Sequence, residues 1–156
     1  MLQLRLRQAD AHLLYLGLLH AEAQPGRGLA ARPAERRREQ PLAPLRALLE
    51  GGLDRAVVEL DVPDGTLPLL GEALAGAINE LKQMAMADGR SMVPGFAATA
   101  RRFYPQIAEE PAAALDVVGH GVMLRRRLDA AARAPEAPPG GAGEPRPGRW
   151  SRLWRR

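Results

Sequence analysis

Leu2, Leu4 and Leu6 alternate with Gln3, Arg5 and Arg7, the two-residue period of a strand with one covered face. Residues 56–62 repeat that pattern with Val58, Leu60 and Val62 between Val57, Glu59 and Asp61, and are rich in β-branched side chains. Between these segments, Leu13, Leu14, Leu16, Leu18 and Leu19 are too dense for a one-sided helix and predict one covered on most sides. Asp10 stands where its carboxylate would cap the first turn of that helix, and Gln24-Pro25-Gly26 stops it.

Further helices follow from three- and four-residue spacing. A short one is expected from Pro44 to Glu50, closed by Gly51-Gly52. The longest carries Leu67, Leu70, Leu74, Ala77, Ile78, Leu81 and Met84 along one stripe, with Asp64 or Thr66 as its cap and Asp88-Gly89 as its end. Pro94 opens another, bearing Phe96, Ala100 and Phe103 and stopping before Pro105. The last is expected from about Pro111 to Arg133, and its pattern is odd. Leu115, Val118 and Val122 share one face while Val117, Leu124 and Leu128 share the opposite one. Either both faces are covered, or the helix bends at Gly119-His120-Gly121, where glycines weaken it.

These elements predict a predominantly helical α+β fold, with four or five helices packed on a small two-stranded sheet of residues 2–7 and 56–62. The charges favour that pairing: Arg5 and Arg7 on one strand face outward beside Glu59 and Asp61 on the other. A shift of 56 residues also superimposes the two strand–helix segments, placing Leu4 on Leu60, Leu6 on Val62, Leu14 on Leu70 and Leu18 on Leu74. That match raises an internal duplication, although leucine is frequent enough to supply it by chance.

The chain has 156 residues, which suits one domain. Residues 1–134 are expected to form it, followed by a disordered Pro/Gly-rich spacer over 135–148 and a basic tail over 149–156. The net charge of +4 is concentrated at the end, because 1–134 hold 17 basic and 16 acidic residues. A nearly neutral body argues against a nucleic-acid-binding surface on the folded part. All basic residues except Lys82 are arginine, in a chain rich in Ala, Gly and Pro. This is the bias of GC-rich codons and points to a bacterial source. Arg36-Arg37-Arg38, Arg101-Arg102 and Arg125-Arg126-Arg127 have acids as neighbours, so they read as solvated surface. Residues 5–23 imitate a secretory signal with basic, apolar and A-x-A parts. Asp10 and His12 interrupt it and the apolar run is short, so cytoplasmic residence is the expectation.

Candidate chemistry is sparse. The absence of cysteine removes thiolate metal sites, disulfides and thiol nucleophiles. No phosphate-binding glycine loop, dinucleotide fingerprint or nucleophile elbow occurs, and no cofactor is expected. His12 and His20 with Glu22, or Glu59, Asp61 and Asp64, are the nearest approaches to a metal set, and neither has ligand spacing that commits it. His120, flanked by glycines, is the candidate for acid–base work, with Asp116 four residues earlier on the same helical face as its orienting partner. No serine is placed to complete a triad.

The tail carries the clearer signal. Arg149, Trp150, Arg152, Leu153, Trp154, Arg155 and Arg156 would, as a helix, set both tryptophans and the leucine on one edge beside arginines. Such a segment suits docking to a protein partner, or contact with an anionic membrane or nucleic acid. The sequence therefore favours a non-catalytic interaction, adaptor or assembly protein with a tethered docking tail, whose body also self-associates. The alternatives are a small enzyme or ligand-binding domain using His120 and Asp116, and a regulator touching nucleic acid through the tail.

Overall fold

A computed structural model describes residues 1–23 and 42–133. The connection over 24–41 and the spacer and tail expected from 135 onward lie outside the described residues. The elements run β1 (Leu2–Arg7), α1 (Gln8–Glu22), α2 (Leu42–Glu50), β2 (Val57–Val62), α3 (Leu67–Met86), α4 (Phe96–Phe103), α5 (Gln106–Glu109), a 3-10 turn (Pro111–Ala113) and α6 (Ala114–Arg133). The fold is the expected helical α+β arrangement, with six α-helices among the described residues on a two-stranded antiparallel sheet. The four-residue α5 has no apolar periodicity long enough to be read from sequence.

The two strands pair with Leu2 opposite Val62, Leu4 opposite Leu60 and Leu6 opposite Val58, so the alternating aliphatics share one face. Arg5 stands opposite Glu59 and diagonal to Asp61, within the range of cross-strand charge attraction. Arg7 faces Val57 and Asp61 faces Gln3, so only one of the two expected charge pairs is directly opposed.

The strand β1 runs straight into α1, which begins two residues before the expected cap. Arg7 holds the cap position, and no side chain caps the helix. Instead the Gln8 amide donates to the Ala56 carbonyl at 3.1 Å and the Gln8 side-chain amide donates to the Leu53 carbonyl at 3.0 Å. The turn entering β2 thus satisfies the helix start, and Asp10 is released for another partner. Thr66 occupies the cap position of α3 without a side-chain bond, while Asp64 pairs with the Met1 ammonium at 2.6 Å. These are corrections to the capping expected from sequence. Both have the same origin: distant chain segments reach the helix ends first.

Helix α1 is the centre of the core, with Leu13, Leu14, Leu16 and Leu18 fully enclosed, as their density demands. It lies against α3 at backbone contact distance. A side chain at Gly17 would stand 3.0 Å from the Ala73 carbonyl carbon and the Leu74 amide nitrogen, and the His20 ring fills the space beside Gly76. Both pairs, 17 with 73 and 20 with 76, are separated by 56 residues, as are the paired strand residues Leu4 and Leu60. The offset that aligns the two strand–helix segments in sequence is therefore the offset of residues that touch.

Helix α6 packs antiparallel on α3, bringing Asp129 to Gly71 and Gly121 to Ile78. It is one continuous helix through Gly119-His120-Gly121, with no break at the glycines. Nor are both faces covered. Val117, Leu124 and Leu128 are buried, and Val118 joins them at the edge, whereas Leu115 stays exposed.

Candidate functional site

Two features of α6 concern function: a polar cluster on the flank facing α1, and a bare strip on the outside. The cluster centres on Asp10, in the first turn of α1, whose exposed fraction is 1%. A carboxylate there gains from the positive end of the helix, but its burial still demands partners. Its Oδ1 accepts a hydrogen bond from Nε2 of His120 at 2.9 Å, and its Oδ2 accepts from Nη1 of Arg127 at 3.1 Å. Both donors come from α6, 110 and 117 residues away in sequence. They sit seven apart, two helical turns, on one flank.

The partner of His120 is thus Asp10 and not Asp116, which lies exposed one turn earlier. Four-residue spacing brings two side chains close, but a buried carboxylate needing a donor competes better than an exposed one already solvated. Because a carboxylate only accepts, Nε2 is the donor, and no bond at Nδ1 is seen among the described residues of a side chain 42% exposed. This is the arrangement of an oriented acid–base histidine. Arg127 already neutralises the same carboxylate, however, and no hydroxyl among the described residues bonds to the ring. Structurally the cluster ties the start of α1 to the middle of α6.

Next to it, Tyr104 donates its phenol to the Ala9 carbonyl at 3.4 Å. Burial first, and then the negative charge of Asp10, hold this phenol well above its ordinary ionisation range. His12 donates Nε2–H to the Leu53 carbonyl at 3.0 Å and stacks on Phe103, ring centroids 4.1 Å apart. It is therefore part of the packing. Phe96 meets His20 edge-on, with 6.5 Å between ring centroids. The histidines are held apart from one another, and among the described residues no group of three potential ligand side chains could hold a metal ion.

The outer strip of α6 consists of Leu115, Gly119, Val122 and Met123, at the spacing of one helical face. Leu115 is 52% and Met123 56% exposed, and Val122 is half-buried. Asp116 borders the strip, and Glu109 and Glu110 lie just before its start. None of these three acids forms an ion pair among the described residues. Of the second apolar face read from sequence, Leu115 alone stays exposed, since Val118 is buried and Val122 half-buried, and the exposure of Met123 beside it was not read from the spacing. The docking residues expected at 149–156, from Arg149 to Arg156 with Trp150, Leu153 and Trp154, fall outside the described residues.

Comparison with protein-family profiles, with curated proteins and with solved structures finds no match to the chain. Among the described residues, no helix is long and apolar enough to cross a membrane.

Proposed function

We propose that the chain is a non-catalytic interaction protein, an adaptor or assembly component of a bacterial cytoplasm, which engages a protein partner through the outer face of α6 and the tail over 149–156. The observation that carries this reading is the pair Leu115 and Met123, exposed on either side of bare Gly119 on a helix whose other large apolar side chains are buried or half-buried. Apolar side chains grouped on an otherwise polar surface are the usual mark of a contact site. The codon-biased arginine excess supports the bacterial source, and the Trp-Arg composition of the tail supports docking.

The test is quantitative recovery of co-purifying proteins from the native cell with the full chain, with Leu115→Glu/Met123→Glu, and with a chain ending at 134. Loss of the same proteins in both altered chains, at unchanged melting temperature, is the expected result. Equal recovery by all three overturns the reading. A second reading, an enzyme using His120, draws on the Nε2–H bond to buried Asp10 and the part-exposed ring. It requires a turnover that disappears in His120→Gln.

A further inference from the structure

The two glycines of α6 differ in what surrounds them. A side chain at Gly121 would stand 3.0 Å from Cγ1 of Ile78, so packing against α3 demands a glycine there. Among the described residues, a side chain at Gly119 would meet nothing within 4 Å. Glycine is the worst helix residue after proline, and nothing in the packed body requires it at 119. What it does provide is a stretch of bare helix backbone, one turn from Leu115 on one side and one turn from Met123 on the other. A flat ring can lie in such a notch, in contact with the backbone and both apolar side chains. Asp116 borders Leu115, and Glu109 and Glu110 lie just before the helix in sequence, all three without an ion pair among the described residues, so acidic groups favour cations at the N-terminal end while Arg126 shares the face at the other end.

One segment with those properties is already attached to the helix. The chain continues from Arg133, at the end of α6, to Trp150 and Trp154, which are its only tryptophans, beside Arg149, Arg152, Arg155 and Arg156. We propose that residues 149–156 dock on the outer face of their own α6, with an indole over Gly119 between Leu115 and Met123, and with arginines toward Asp116, Glu109 and Glu110. This rests on the assignment of that face as a contact surface and adds its occupant in the free protein.

The lengths permit it. Gly119 lies about 21 Å back along the helix from Arg133 at 1.5 Å per residue. A linker of the length from Arg133 to Trp150 spans roughly 21–25 Å if it behaves as a coil and up to about 53 Å if it is polyproline-like, so the site is within reach in either case. Attachment is most effective when span and linker length match, and the local concentration is then roughly millimolar. Even a weak intrinsic contact is substantially formed under those conditions. A partner that engages both the face and the tail has to separate them first.

Because the body has no tryptophan, the fluorescence of the full chain reports the tail alone. At low protein concentration, the emission is expected to be blue-shifted from that of a synthetic 149–156 peptide and less quenched by acrylamide. Leu115→Glu and Met123→Glu should return both properties to the peptide values. Gly119→Ala should do the same while raising the melting temperature, a combination that general damage to the fold would not produce. Peptide-like emission in the full chain overturns the proposal, as does a blue shift that survives all three substitutions. A shift that vanishes on dilution overturns it in favour of a second copy as the occupant. Solvent-like tryptophans in a chain whose partner recovery still falls on Leu115→Glu/Met123→Glu would overturn the tail docking and leave the proposed function standing. Protected tryptophans with unchanged partner recovery would do the reverse.

Discussion

The inner and outer faces of α6 are built from similar residues under opposite constraints. On the inner face, Gly121 admits Ile78, while Val117, Leu124 and Leu128 fill the space against the body. On the outer face, Gly119 admits nothing, and Leu115 and Met123 project into solvent. Glycine inside a helix has a cost on either face. On the inner face the close approach of α3 offsets it. On the outer face no contact within the described residues does, and that asymmetry is what the proposed docking rests on.

The largest expected break in this contrast is Gly121→Leu. A bulky side chain forced against Ile78 and the neighbouring Leu13 should destabilise the fold by about 3 kcal/mol, the upper end for overpacking. For a body of this size that lowers the melting temperature by roughly 10 °C. A loss under about 1 kcal/mol would mean that α3 and α6 are not in backbone-close contact.

Next comes Arg127→Ala, which leaves buried Asp10 with His120 as its one remaining side-chain partner. The expected loss is about 2 kcal/mol in denaturant unfolding, since the cost falls on the buried carboxylate. The double variant with His120→Ala should lose more than the sum of the single losses, because each partner covers for the other. Strict additivity would show that the two do not share Asp10.

The Tyr104 phenol yields a smaller, pH-gated effect. Its ionisation is raised in the folded state, so the folded protein stays protonated where the unfolded chain begins to ionise, near pH 10. Its contribution is fully present below that pH and is lost as pH rises beyond it. Tyr104→Phe should therefore flatten the alkaline decline of the melting temperature without improving the neutral value. An identical alkaline limb in both proteins would place the phenol in solvent.

On the outer face, Leu115→Glu is expected to stay within about 0.5 kcal/mol of the parent in stability, as exposed substitutions do. Its effect belongs to binding.

Much of the fold was legible in the chain because periodicity is a local property. The strands, their pairing, the enclosed character of α1 and the stripe along α3 all follow from spacing within short windows. Even the 56-residue offset, weak as a sequence match, reappears in the contacts of Gly17 with Ala73 and His20 with Gly76. The polar cluster was not legible. Asp10 read as a cap because caps are local, whereas its partners lie more than a hundred residues onward. His120 read as the partner of Asp116 for the same reason.

The sequence by itself determined which residues need covering and how they repeat, because hydrophobic spacing matches the geometry of a helix or strand before any tertiary contact exists. Only the tertiary structure decided which of those faces found cover and which polar group met which. A buried carboxylate takes the donors that the packing brings to it, and an apolar face is open or closed according to whether another element arrives there. Both outcomes depend on segments far apart in the chain, and no local pattern encodes them.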